Sequence, residues 1–170
     1  MRRCASCSRT ANTASALCQC TTTSWDTRNT EAWREQNIAL RWVDDSLGVG
    51  AYALSPFRKG AILGEYVGEF VPDVEAIESR YLFGIDNEDD ETMAHIDSLR
   101  VGSWTRFVNH SCDPNAVYQV VRVGDGVRVV VKVGRQIRKG EEVTADYGPG
   151  YWGSMNEKGV WCGCAKEGCM

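Results

Sequence analysis

Eight cysteines among 170 residues restrict this chain more than any other feature, because they fall into groups of a kind that hold metal. Cys4 and Cys7 form C-x2-C, Cys18 and Cys20 form C-x-C, Cys162, Cys164 and Cys169 form C-x-C-x4-C, and Cys112 stands alone. No apolar run approaches the ~18 residues of a membrane span. Met1-Arg2-Arg3 leads into Cys, Ser and Thr rather than the apolar core of a signal peptide. The expectation is an intracellular chain, whose thiols stay reduced and favour metal over disulfides. Tetrahedral zinc takes four ligands, and closely spaced thiolates supply two at once with little loop-closure cost. Two sets of four follow: Cys4, Cys7, Cys18 and Cys20 on one ion, and Cys162, Cys164 and Cys169 completed by Cys112 on another. A solitary Cys is ordinarily a small buried hydrophobe. Three clustered thiols lacking a fourth ligand are what turn Cys112 towards metal, and the last segment must then fold back onto it.

The length suits one compact domain with a modest extension, burying roughly 70% of its unfolded surface. A formal charge of −4 and a pI of about 5.2 argue against a nucleic-acid surface and suit a basic partner. Residues 1–24 are rich in Ser, Thr and Cys and need metal to order. A short helix is predicted over 25–37 with Thr30 as N-cap. From Ile38 onward the signal is of short strands: IALRWV, AILGEYVGEFV, AVYQVVRV and VRVVVKV. Gly124-Asp125-Gly126 predicts a hairpin between the last two, with Asp-Gly accepting positive φ. One further helix is predicted to start after Pro72 or Asp73 and to end near Arg80. The fold class is therefore mostly β with few short helices. The acidic run Asp86–Glu91 reads as a solvated loop, or as a device that steers a cationic substrate.

Two further stretches carry chemistry. Gly48-Val49-Gly50 lacks the third glycine and helix of a dinucleotide site, so it permits close backbone approach rather than cradling phosphate. In RFVNHSCDPN, turn chemistry accounts for the Asp-Pro-Asn but not for Asn109-His110-Ser111-Cys112.

GVGAYALSPFRKGAILGEYVGE, YLFGID, RFVNHSCDPN, RKGEEVTADYG and CGCAKEGC occur in this order from Leu47 to Cys169, and the series resembles the SET-domain protein lysine methyltransferases. The resemblance implies small twisted sheets, with a knot-like crossing of the Asn-His-Ser-Cys segment and the stretch leading to Tyr147. It divides the chain into a cysteine-containing pre-SET-like segment (1–37), a catalytic domain (38–148) and a post-SET zinc-binding tail (149–170). It further implies S-adenosylmethionine as methyl donor, contacted by Gly48, Val49, Gly50, Asn109 and His110, with Trp161 stacked on adenine. Tyr147 and Tyr81 match the two tyrosines that line the lysine channel and face the cofactor. Cys112 joins Cys162, Cys164 and Cys169 on zinc, while four N-terminal cysteines support one ion at most, not the three-zinc cluster of some relatives.

The chemistry agrees with these residue types. Free lysine, with a pKa near 10.4, is protonated at neutral pH and so lacks the lone pair that methyl transfer from a sulfonium requires. A narrow aromatic channel disfavours the ammonium by desolvation, and phenol hydroxyls orient the amine within it. The competing reading of each tyrosine, as of Trp161, is a core or packing position. Arg106 is expected in a structural ion pair and Tyr66 in packing. Ala145 stands where many relatives carry Phe or Tyr, which implies room for higher methylation states unless Trp104 or Trp152 fills the space.

The expected partner is a basic lysine-containing peptide, a histone tail first, met by a monomer in the nucleus without direct contact to nucleic acid or membrane. Three alternatives stand beside it: a non-histone substrate, a catalytically silent SET module that binds a peptide, and a metal-only interaction domain.

Overall fold

The computed structural model describes residues 22–71, 79–86 and 92–164. Three small sheets carry most of the regular structure, beside helices α1 (Glu31–Asn37) and α2 (Gly148–Glu157). The expectation of a mostly β chain with few short helices therefore holds. The chain divides into two compact units: Met1–Asn29, Gly64–Arg106 and Gln119–Val130 form the first, and Thr30–Leu63, Phe107–Tyr118 and Val131–Met170 the second.

Thr30 is the N-cap of α1 and its side chain accepts a hydrogen bond from Trp33 N at 3.3 Å, as the sequence predicts. The helix does not reach back to Trp25. Thr23 donates to both carboxylate oxygens of Asp26, at 2.6 and 2.7 Å, and Asp26–Asn29 takes a 3-10 turn instead. Asp and Thr side chains that bond local backbone compete with helix in this way. Trp33 finds its packing partner in Phe57, the ring centroids being 6.4 Å apart.

β1 (Ile38–Asp44) and β2 (Gly48–Ala53) form an antiparallel hairpin with Arg41 opposite Gly50. The predicted strand over 61–71 is two strands, β3 (Ile62–Tyr66) and β4 (Glu69–Val71). Gly68 sits between them because a Cβ there would clash with the Asp97 carbonyl. β4 pairs antiparallel with β6 (Thr92–Asp97), which pairs with β5 (Leu82–Asp86). The predicted hairpin joins β8 (Ala116–Val123) to β9 (Gly126–Val133). Its positive-φ glycine is Gly124 (φ 63°), one frame earlier than an Asp-Gly turn would place it.

The five-stranded sheet has the order β3-β9-β8-β10-β7, where β7 is Asn109–His110 and β10 is Thr144–Ala145. β10 runs parallel to both neighbours, with Ala145 opposite His110 on one side and Ala116 on the other. A late strand thus lies between two strands joined by only 111–115, so these few residues must pass across β10. Val108, Ala116, Val143 and Ala145 are almost fully buried at this crossing. The predicted helix after Pro72 falls on residues outside those described, apart from Ser79 and Arg80, which are not helical.

Candidate active site and metal centre

The crossing is held by Asn115, which is only 1% exposed. Its Nδ2 donates to Glu142 O at 2.7 Å and Glu141 Oε1 at 3.1 Å, and its Oδ1 accepts from Thr144 N at 3.0 Å. Ser111 N donates to Ala145 O at 3.0 Å beside it. The Asn of Asp-Pro-Asn, legible as a turn residue, is thus a buried clamp on 141–144. Glu141 also accepts from Arg135 Nη1 at 2.7 Å and Arg138 N at 2.9 Å. Burial alone would raise its pKa, but the hydrogen bonds from Arg138, Arg135 and Asn115 outweigh it and bring the carboxyl to about 2.

This clamp delivers Tyr147 to the Asn109 segment. Tyr147 N donates to His110 Nδ1 at 3.2 Å and its hydroxyl donates to Val108 O at 2.8 Å, one contact on each side of Asn109. Its ring meets Tyr151 edge-on at 4.8 Å and lies parallel to Trp152 at 6.4 Å. Both partners belong to α2, which the sequence does not announce because Gly148, Gly150 and Gly153 are poor helix formers. Pro149 in the first turn was the one readable signal.

His110 is buried, and burial lowers its pKa although Asp146, 3.6 Å away, opposes the shift. A backbone N–H only donates, so Nδ1 is an acceptor and the neutral ring carries its proton on Nε2. Nε2 faces Cys112 Sγ at 3.3 Å.

The ligand atoms of His110, Cys112, Cys162 and Cys164 lie within 4.8 Å of one another. The two sulfurs of Cys112 and Cys162 are 4.0 Å apart, close to the ~3.8 Å edge of a tetrahedron with zinc–sulfur bonds of about 2.3 Å. Cys164 N donates to Cys162 Sγ at 3.4 Å, which suits a C-x-C turn carrying thiolate. The donor set therefore fits zinc. Ligation by His110 would take the Nε2 lone pair, move the proton to Nδ1 and break the bond from Tyr147 N, so the three thiols are the better ligands. Cys169, expected as the fourth, lies outside the described residues, as do Cys4, Cys7, Cys18 and Cys20 and residues 87–91 of the acidic run.

Gly48 (φ 68°) needs the left-handed conformation that glycine allows, and it opens β2. Gly50 is constrained from within the chain: a Cβ there would clash with Glu142 Oε1 and lie 3.0 Å from Val43 Cγ2 and 3.1 Å from Asn109 Nδ2. Glu142 Oε1 accepts from Asn109 Nδ2 at 2.9 Å, and its Oε2 from the Tyr52 hydroxyl at 3.3 Å. Glu142 and Asn115 are the residues sequence reasoning missed. A glycine inside a strand signals close approach, but not which group approaches. Trp161 is 64% exposed. A Cβ built on Gly163 would lie 3.5 Å from Leu47 Cδ2, so the Cys162–Cys164 segment rests on the turn that precedes Gly48.

In the first unit, Tyr81 O accepts from the Tyr66 hydroxyl at 2.6 Å and from Ser98 N at 3.1 Å, and the Arg106 guanidinium stands 5.6 Å over the Tyr81 ring. Arg106 Nη1 also donates to Ser98 O at 2.9 Å. Tyr66 packs on Phe83, and burial first among several causes pushes its phenol up to about 12. Trp104 is buried there and donates to Arg28 O at 2.9 Å, whereas Trp152 is the tryptophan beside Tyr147.

A SET-domain family model matches residues 48–148, more than half of the chain, and the chain belongs to the SET-domain family. It is 35% identical over 133 residues to human "Histone-lysine N-methyltransferase EHMT1", covering 72% of this chain and 10% of that protein. It is 27% identical over 157 residues to the H3 lysine-36 specific histone-lysine N-methyltransferase of Candida albicans, covering 85% of this chain and 18% of that protein. An H3 lysine-4 specific relative from Saccharomyces cerevisiae is 39% identical over 106 residues, 58% of this chain and 10% of the relative. The chain thus spans less than a fifth of the length of these relatives.

Proposed function

We propose that this chain is an S-adenosylmethionine-dependent protein lysine N-methyltransferase acting on a basic peptide, a histone tail, in the nucleus. The observation that carries the reading is the double tie of Tyr147 to Val108 O and His110 Nδ1, the residues on either side of Asn109. The printed activity of the relatives supports the histone substrate, and the net charge of −4 suits a cationic one.

Asn109, with the backbone of Gly48–Gly50, would hold the amino-acid end of the cofactor, and the exposed Trp161 is available for its adenine. Bound there, the cofactor supplies a methyl group carried on a positively charged sulfur. The chain has to admit the lysine uncharged and aligned. Tyr147, Tyr151 and Trp152 form a wall of rings that excludes water, which penalises the ammonium and lets its proton leave to solvent before the amine is methylated. The Tyr147 phenol fixes the amine's direction, and the role of Tyr81 as a second such tyrosine rests on the family resemblance alone. Cys112, Cys162 and Cys164, with Cys169 as the expected fourth ligand, would hold zinc and so keep the Cys162–Cys164 segment near Gly48.

Incubation with S-adenosylmethionine and a panel of histones and other proteins, read by mass spectrometry, is expected to give methyllysine on histone. Tyr147→Phe should cut turnover by about a hundredfold or more while S-adenosylhomocysteine still binds. Absence of methyllysine on every protein would overturn the reading, and product confined to non-histone proteins would remove the histone.

A further inference from the structure

We propose that the two Arg-Lys-Gly turns, 58–60 and 138–140, form one cationic surface that holds the phosphate backbone of duplex DNA beside a histone substrate. The choice of partner rests on the histone reading above, because histones are presented wrapped in DNA. Residues 46–64 and 126–140 contain seven of the chain's 19 lysines and arginines and none of its 23 acids. Net charge, the ground for expecting no contact with nucleic acid, sums the whole chain, whereas a polyanion meets the local field. Two of the seven are already engaged, Arg128 with Asp26 and Glu65, and Arg135 with Glu141. Arg58, Lys59, Arg138 and Lys139 are exposed and form no salt bridge among the described residues. Arginine forks onto phosphate oxygens and lysine meets them as a point charge.

The backbone shapes both turns alike. Ala61 N donates to Arg58 O and Glu141 N to Arg138 O, each at 3.1 Å. Gly60 (φ 87°) and Gly140 (φ 85°) take the positive φ of the third residue in a type II turn. Between the turns Phe57 and Ile137 form an antiparallel bridge, with N–H···O bonds of 2.9 and 3.0 Å in the two directions. Ile137 is fully buried and Phe57 packs on Trp33, so the arginine that follows each is directed to the opposite, outer side. Gly60 N donates to Val133 O at 2.8 Å and Gly140 N to Ala53 O at 2.7 Å, which places one turn at each end of the bridge. The stretch from 53 to 60 separates them by at most ~25 Å, less than the ~34 Å of one duplex turn, so both reach phosphates of the same duplex. Acids on the adjoining elements are occupied: Glu141 by Arg135 and the Arg138 N–H, Glu142 by Asn109 and Tyr52, Glu31 and Glu35 by Arg34.

The test is fluorescence anisotropy of the full chain with a labelled duplex of about 30 base pairs and arbitrary sequence, long enough for nearly three helical turns. Wild type is expected to bind at about 10 μM or tighter in about 50 mM salt, and four phosphate contacts should weaken binding about a hundredfold by about 200 mM. Lys59→Gln or Lys139→Gln alone should lower the steepness of that salt dependence by about one phosphate. R58Q/K59Q/R138Q/K139Q should lose duplex binding and methylate free histone within about twofold of wild type, as surface changes remote from the site do. Its rate on DNA-wrapped histone should fall about tenfold or more. The pairs R58Q/K59Q and R138Q/K139Q serve separately if the fourfold variant fails to fold. No duplex binding by wild type, binding that the variants leave unchanged, a poly-glutamate chain bound as tightly, or equal measurable rates of wild type and variant on DNA-wrapped histone overturns the inference. Wild type that binds duplex through these residues yet methylates no histone supports the surface and overturns the proposed substrate.

Discussion

Gly50 illustrates how one residue type is fixed by a group far along the chain. Glycine inside a strand normally weakens it, since there is no side chain to pack and more backbone entropy to lose. Here Glu142 Oε1, Val43 Cγ2 and Asn109 Nδ2 already occupy the space a Cβ would need. Gly50→Ala has to displace the carboxylate or bend β2. The expected cost is about 1–3 kcal/mol of stability, the usual range for overpacking. Gly126→Ala is the matched control: its nearest neighbour is Val123 O at 3.7 Å, an ordinary contact, and its φ is not positive. It should stay within about 0.5 kcal/mol of wild type. Thermal unfolding followed by circular dichroism compares the two, and equal midpoints would mean that Glu142 is not seated against Gly50.

At the scale of elements, strands with a strong local pattern were legible and those defined by distant partners were not. Ile38–Asp44, Ala116–Val123 and Gly126–Val133 contain β-branched or aromatic residues bounded by turn residues, and each forms the expected strand. β7 and β10 contain two residues each, too few for any periodicity, and exist through Ser111, Asn115 and the parallel pairing of the crossing. The crossing itself was legible only through the family resemblance. Glu141, between the Arg138-Lys139-Gly140 turn and β10, shows what such an element rests on. Its pKa is about 2 instead of 4.5, so its ionised form stabilises the fold fully above about 4.5, and this stabilisation is lost as pH falls towards 2. Glu141→Gln should therefore lower the urea midpoint at pH 7, by an amount equivalent to about 1 kcal/mol, and the difference from wild type should vanish by about pH 2. A difference that stays constant across that interval would rule out ionisation of Glu141 as its origin.

At the scale of the molecule, the second unit brings together the candidate site segments 48–50, 109–112, 142–147 and 162–164, separated by up to about two thirds of the chain. The cysteines stood out in the sequence by spacing, and Asn109, His110 and Tyr147 through the family resemblance; the structure brings His110 together with Cys112 and Tyr147. The supports did not stand out, because Asn115 and Glu142 look like ordinary turn and surface residues until the crossing brings them inside. The same assembly would couple the candidate metal centre to the proposed cofactor residues by two routes. Cys112 is three residues from Asn109 and receives His110 Nε2, whose other nitrogen accepts from Tyr147 N. The Cys162–Cys164 segment lies against Ser46 and Leu47, directly before Gly48. Thiolates brought together at 4.0 Å repel unless a cation sits between them, so removing metal should release the last segment from both neighbours. Treatment with a zinc chelator is expected to weaken S-adenosylhomocysteine binding by about tenfold or more, and stoichiometric zinc should restore it. The check is calorimetry beside elemental analysis of the same samples. Full affinity in protein stripped of metal would mean that residues 48–50 and 109–110 keep their geometry unaided, and would separate the metal centre from the cofactor site.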